Sequence, residues 1–215
     1  MARVTAMTLS LSGTVCLGSF TLRTEISAEN EVIAITGANG VGKTTLLRLL
    51  AGIINLTTGS LLIDGVTYDD ATTDIFIPAN KRGVAMFFQN ETLLPFLSVR
   101  DNIAFPLRMS GMSRSQSREV AQDAISSQGL TKLSDLMPSD LSGGQSQRVA
   151  IIRAFINTPK LVLFDEPLSA LDENARPELR KFLRERMSQI SGYKFVVTHD
   201  RQDVEQICDR EIHLN

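Results

Sequence analysis

Neither sign of charge is in excess: 22 Lys and Arg against 24 Asp and Glu leave a net charge of −2 over 215 residues. Nothing in that balance attracts a phosphate backbone, so nucleic-acid binding has no electrostatic support. Cysteine is scarce. Cys16 and Cys208 lie far apart and fit neither a disulfide framework nor a CxxC metal pattern, so both read as small buried side chains in a reducing compartment. Long apolar runs are missing too: no stretch of about 18 apolar residues occurs, so no helix spans a membrane. Leu11 to Cys16 has the faint look of a lipoprotein signal end, but the residues before it alternate Thr and Ser with apolar side chains, which suits a strand.

What remains is an ordinary globular composition, 43% apolar and 21% charged, long enough for one large domain or one domain with a small subdomain. One stretch organises it: Gly37-Ala38-Asn39-Gly40-Val41-Gly42-Lys43-Thr44-Thr45. The β-branched run Val32–Ile35 precedes it as a buried strand, and Leu46 to Ala51 continues it without a breaker before Gly52. In this context the glycines let successive backbone N–H groups point at one anion, with the positive end of a helix behind them. Lys43 then reaches the β- and γ-phosphates, and the Thr44 hydroxyl binds Mg²⁺. Phe20, the only aromatic before the loop, either stacks on the adenine or packs in the core.

Residues 3–35 read as strands over Val4–Leu11, Thr14–Leu22 and Val32–Thr36, with a turn at Glu29–Glu31. Ser60–Ile63 reads as a strand ending in an Asp64-Gly65 turn, residues 69–82 as irregular, and Gly83–Phe88 as a buried strand. Gln89 then falls at the carboxyl edge of a sheet, where open α/β sheets bind ligands. From Ser98 to Gly129 the pattern turns helical. Ser98 caps a first helix that Pro106 interrupts or kinks, and Ser113 starts a second carrying Val120, Ala121, Ala124 and Ile125. The lead-in, Leu93 to Leu97, is apolar where a loop is expected, which makes it subdomain core or a docking surface.

Leu141-Ser142-Gly143-Gly144-Gln145 arises by chance in roughly one chain in ten thousand. Ser142 caps a helix running to Ile156, and Gly143 and Gly144 leave N–H groups open at its start, making a second anion-binding helix end. Leu161–Phe164 is an apolar strand that ends in Asp165-Glu166, two carboxylates that are costly at a buried strand end without a cation. Asp165 therefore reads as a Mg²⁺ ligand and Glu166 as the group facing the attacking water. A helix from about Glu173 to Ile190, a strand Lys194–Thr198, His199 at its carboxyl end and a short helix complete the chain.

With these motifs in this order, the chain resembles over its whole length the nucleotide-binding subunit of ABC transporters; Leu141–Gln145 is the most specific element. The resemblance implies an α/β P-loop NTPase with a RecA-like core, an N-terminal antiparallel β subdomain and an inserted α-helical subdomain. Residues 1–89 and 159–215 would form the core with the β subdomain, and 90–158 the helical part. It also implies ATP and Mg²⁺. Gln89 would sense metal and water, Asp172 would belong to the loop after Ser169, and His199 would contact the γ-phosphate. Two subunits would sandwich two ATP molecules, each glycine loop facing the partner's Ser142–Gln145. The stretch from Phe88 to Ile103 looks like bacterial importers of molybdate, sulfate, ferric iron, thiamine or polyamines. The partners implied are permease subunits and a substrate-binding protein, and the place a peripheral one on the cytoplasmic face of the membrane. Many such importers carry a C-terminal regulatory domain, whereas this sequence ends at Asn215. A soluble ABC ATPase of the Fe–S assembly or translation type is the alternative. The DNA-repair type needs a coiled-coil or zinc insertion that is absent here, and a non-hydrolysing regulatory module should lack Lys43, Glu166 or His199.

Overall fold

The computed structural model describes residues 8–88, 93–169, 171 and 173–215. Two five-stranded sheets divide the strands. The first is antiparallel and holds β1 (Leu9–Leu17), β2 (Phe20–Ala28), β4 (Thr58–Ile63), β5 (Val66–Asp70) and β6 (Ile75–Phe76) in the order β2-β1-β4-β5-β6. The second is parallel and holds β3 (Val32–Gly37), β7 (Val84–Phe87), β8 (Leu161–Asp165), β9 (Tyr193–Val197) and β10 (Arg210–Leu214) in the order β10-β3-β9-β8-β7. This mixed α/β architecture is that of a P-loop NTPase.

The parallel strands β8 and β9 are buried along their full length, as strands covered on both faces must be, and this explains their mostly apolar sequences; the buried Lys194 of β9 donates from Nζ to Asn30 Oδ1 and the Ile190 carbonyl. Strand β2 instead alternates buried and exposed side chains, so only one face of the antiparallel sheet is dry. Helix α1 (Lys43–Ala51) lies between the layers, where Leu46, Leu47, Leu49 and Leu50 join one core with Leu9, Leu11, Ile33, Ile35 and Phe195. A second core binds β7 and β8 to α2 (Val99–Met109), α3 (Arg114–Ser127), α4 (Gly143–Phe155) and α5 (Arg176–Ser188) through Phe87, Ile103, Ile125, Ile151, Phe164 and Leu183.

The first strand boundary differs from the sequence expectation. The chain continues through Ser12-Gly13 and turns at Gly18-Ser19, so Leu17 pairs with Phe20. Gly13 serves close approach to the next strand and not a turn: a Cβ there would lie 2.3 Å from the Thr58 carbonyl oxygen. Residues 1–7, the start of the expected first strand, lie outside the described residues. The segment expected to be irregular contains the end of β5, the short β6 and a 3-10 turn at Ala79–Lys81.

Ser98 and Ser113 cap α2 and α3 as expected, accepting from the N–H groups of Asp101 and Gln116. Helix α2 does not stop at Pro106 but runs on to Met109, because Ile103, Ala104 and Leu107 are buried along it and outweigh one missing N–H. Val120 is exposed on α3, while Ala121 and Ile125 face the core. Helix α5 begins at Arg176, three residues later than expected. Helix α6 (Arg201–Ile207) is followed by β10, a strand the sequence reading left out, which pairs in parallel with β3 from Arg210–Ile33 to Leu214–Gly37. Cys16 is exposed and not buried, because it falls on the solvent face of β1; Cys208 is intermediate, and both thiols are free. Burial pushes the Cys208 thiol up to about 12. Among the described residues no helix is long and apolar enough to cross a membrane.

Candidate functional site

Among the described residues, the motif residues that follow β3, β8 and β9 emerge at one edge of that sheet. Strand β3 leads into the glycine loop, β8 delivers Asp165 and Glu166, and β9, which lies between them, delivers His199. Parallel strands share a direction, so their carboxyl ends converge without help from the loops.

Gly42 caps α1 in the left-handed conformation at φ 112°, which aims the first N–H groups of the helix into the loop. Lys43 folds back over that loop, donating from Nζ to the carbonyls of Gly37 at 2.8 Å and Ala38 at 2.9 Å. The Thr44 hydroxyl donates to Asp165 Oδ2 at 2.8 Å. Burial holds the Asp165 carboxyl above its ordinary range and the neighbouring Glu166 charge adds to this, while the Thr44 hydrogen bond, Lys43 and Arg48 pull the other way. Glu166 itself sits at φ +50°, an unusual backbone for a non-glycine residue and one that re-aims the chain as it leaves the sheet. Its Oε1 lies 3.0 Å from His199 Nδ1, and the imidazole is 69% exposed.

These groups line one cavity of about 690 Å³ with Phe20, Asn39, Gly40, Gly42, Lys43, Thr44, Thr45 and Val197 around Asp165, Glu166 and His199. Phe20 packs on the core, reaching within 2.9 Å of a Cβ built at Gly42, and also lines the cavity. Val41 instead packs against the core, and Gly37 contributes its carbonyl to Lys43.

Ser142 caps α4 in a reciprocal pair, its hydroxyl accepting from the Gln145 N–H at 3.3 Å while its own N–H donates to Gln145 Oε1 at 2.9 Å. Ser142, Gly143, Gly144 and Gln145 line a separate depression of about 430 Å³, with Leu171 and Glu178, that shares no residue with the first cavity. Gln89 and Asp172 lie outside the described residues.

The sequence reading passed over Arg176, Arg180 and Asp200. Arg180 is buried and donates to Asp200 at 2.6 Å and Asp203 at 2.5 Å. The available signal was the spacing of Arg176, Arg180 and Arg184, four residues apart on one helix, against Asp200, Asp203 and Asp209 after the last motif residue.

A family model described as ABC transporter matches residues 23–169. The Fe(3+) ions import ATP-binding protein FbpC 1 of Rhizobium meliloti (strain 1021) is 39% identical over 198 residues, covering 91% of this chain and 54% of the relative. The spermidine/putrescine import ATP-binding protein PotA of Thermotoga maritima is 40% identical over 187 residues, covering 87% of this chain and 49% of the relative. The chain thus spans about half the length of the curated relatives it matches. Among solved structures, the ATP-binding cassette MJ0796, in a dimeric post-hydrolysis state bound to ADP and Pi, superposes with a TM-score of 0.77 at 27% identity, covering 96% of this chain and 94% of that one. With the cavity, the separate serine-capped helix start and these relatives in agreement, the chain belongs to the ABC transporter family.

Proposed function

We propose that this chain binds and hydrolyses ATP to power a bacterial ABC importer. The observation that carries the reading is the convergence of Lys43, Thr44, Asp165, Glu166 and His199 on one cavity at the carboxyl edge of the parallel sheet. The names of the iron and polyamine relatives support import over a soluble, uncoupled ATPase.

The residues fit the expected ligands. Lys43, already bound to two loop carbonyls, exchanges those partners for phosphate oxygens, while Asn39 and Gly40 to Thr45 supply N–H and hydroxyl groups and Phe20 packs beside the base. Among the described residues no three His, Cys, Asp or Glu side chains are placed to hold a metal ion by themselves, so a cation here depends on phosphate oxygens as well as protein. Thr44 and Asp165 are hard oxygen donors already in contact, as Mg²⁺ requires, with Gln89 as a third proposed ligand. Bound Mg²⁺ neutralises charge on the transferred phosphoryl group. Glu166 accepts the proton of the attacking water, and His199, held by Glu166, reaches the γ-phosphate.

Ser142, Gly143, Gly144 and Gln145 line a depression that shares no described lining residue with this cavity, and the proposed arrangement is a head-to-tail dimer in which they close the partner's site, with Asp172 at the seam. The division into a core of residues 1–89 with 159–215 and a helical part over 90–158 belongs to the same proposal. So do permease subunits and a substrate-binding protein as partners, and a peripheral position on the cytoplasmic face of the membrane. The test is affinity purification of the tagged chain from its native membranes with an assay of Mg²⁺-dependent ATP hydrolysis. The reading expects hydrolysis and a co-purified multi-span membrane protein; hydrolysis with no membrane partner would favour the uncoupled ATPase.

A further inference from the structure

A closed ring of contacts links the two loops that flank the proposed γ-phosphate position. The Glu166 carbonyl accepts from Ser169 Oγ at 3.0 Å. The Ser169 carbonyl accepts from Arg176 Nη2 at 3.4 Å, and the Leu171 carbonyl from Arg176 Nε at 3.1 Å. The third nitrogen of the same guanidinium, Nη1, lies 3.4 Å from Asp200 Oδ2. Asp200 is the covalent neighbour of His199, whose Nδ1 returns to Glu166 Oε1 at 3.0 Å.

Arg180, one turn along α5, plays a different part. It is buried and holds Gln202 and Asp203 as well as Asp200 at 2.5–2.7 Å, so it anchors the loop after His199 to α5. Its partner Asp203 accepts from Thr198 Oγ1 at 3.0 Å, which fixes the other neighbour of His199. Among the described residues Arg180 makes no hydrogen bond to Ser169 or Leu171. Arg176 spans both loops, with longer bonds and a side chain 27% exposed. A planar guanidinium with fixed donor directions suits this task, because three nitrogens reach three acceptors on two separate segments.

We propose that Arg176 is a positioning residue that sets the register of Ser169 and Leu171 against His199 and so holds the imidazole against Glu166. The inference rests on the proposed roles of Glu166 and His199. It implies that a displacement of Leu171, which lines the depression shared with Ser142 to Gln145, is passed through Arg176 and Asp200 to the proposed γ-phosphate site.

The chain contains two histidines, His199 and His213, so histidine-labelled protein yields two imidazole signals. His213 bonds to Thr36 outside the ring and serves as an internal control. For Arg176→Gln, kcat with Mg²⁺ and ATP should fall at least about tenfold with KM changed less than about twofold, and the His199 signal should move while that of His213 stays. Arg176→Lys keeps the charge but loses the fork, so a smaller fall of about threefold or more should accompany the same His199 movement. If the Gln variant does not fold, the Lys variant carries both readouts. Wild-type behaviour of the Lys variant in both readouts overturns the proposal, as does a fall in kcat with His199 unmoved. A wild-type chain that does not hydrolyse ATP defeats the functional reading instead; the His199 signal still decides whether Arg176 positions that ring.

Discussion

His199 Nδ1 lies 3.0 Å from Glu166 Oε1, although the two residues leave different strands and are 33 positions apart in sequence. Glu166→Gln preserves an acceptor oxygen for that contact and leaves Lys43, Thr44 and Asp165 untouched. ATP should therefore still bind, while loss of the proposed general base lowers turnover by about 10² to 10⁴. The nucleotide-trapped protein should elute as a dimer in size-exclusion chromatography with ATP and Mg²⁺. A variant that stays monomeric at high concentration counts against the sandwich arrangement.

Lys43→Ala removes the cation that bridges the Gly37 and Ala38 carbonyls. Turnover should drop at least about a hundredfold, because in the proposed site this charge faces the phosphate oxygens where negative charge is greatest. Steady-state hydrolysis checks it, and wild-type rates in the variant would remove the phosphate-loop assignment.

Asp165 predicts a pH-dependent conflict between stability and function. Burial raises its folded pKa above the ordinary value of 3.8. The folded form is therefore favoured relative to the unfolded one at low pH, and this advantage is lost as pH rises from about 3.8 through the raised value. Asp165→Asn keeps an acceptor for the Thr44 hydroxyl and removes the buried charge. The unliganded variant should melt higher at pH 7, by about 2–4 °C for each kcal/mol recovered, with a smaller gain near pH 4, while hydrolysis is lost. Calorimetry at the two pH values decides it; equal melting temperatures at pH 7 would mean the carboxylate is better solvated than its burial implies.

Much of this site was legible because its parts are local. The β-branched run Val32–Ile35, the glycine spacing of Gly37 to Gly42 and the cap Ser142 each act within a few residues, and periodicity reads such features directly. The misses involve distant partners. Gly13 resembles a turn glycine until Thr58 is brought against it. Strand β10, with mostly exposed polar side chains, declares itself a strand only by pairing with β3. The contact of Arg176 with Asp200 needs α5 and the loop after β9 to meet, which no window of sequence contains.

The loop before α2 carries a further prediction. Asn102 is buried and its amide donates to the carbonyls of Leu94, Leu97 and Ser98, so the loop is built from within while Phe96 stands 73% exposed at its tip. An aromatic held out by a fixed loop suits a partner surface. Phe96→Ser should leave melting temperature and ATP affinity nearly unchanged and reduce transport-coupled hydrolysis with the proposed permease partner. Equal loss of affinity and coupling would indicate misfolding instead.

The last prediction concerns which chain completes each site. The glycine loop and the Ser142-capped start of α4 are both proposed anion-binding helix ends, and the two cavities they line have no described residue in common. The proposed head-to-tail dimer faces each loop with the partner's Ser142, Gly144 and Gln145, so that one γ-phosphate need not engage both ends of a single chain. Lys43→Ala and Ser142→Arg chains should each be inactive alone. Mixed, they form heterodimers with one site made of two intact halves and one made of two damaged halves. Hydrolysis should return in part and track dimer formation with concentration if one intact site suffices. If both sites must turn over together, activity stays absent but one nucleotide per heterodimer is still occluded. Neither activity nor occlusion, with both variants folded and dimeric, would rule out completion of the site by the partner chain.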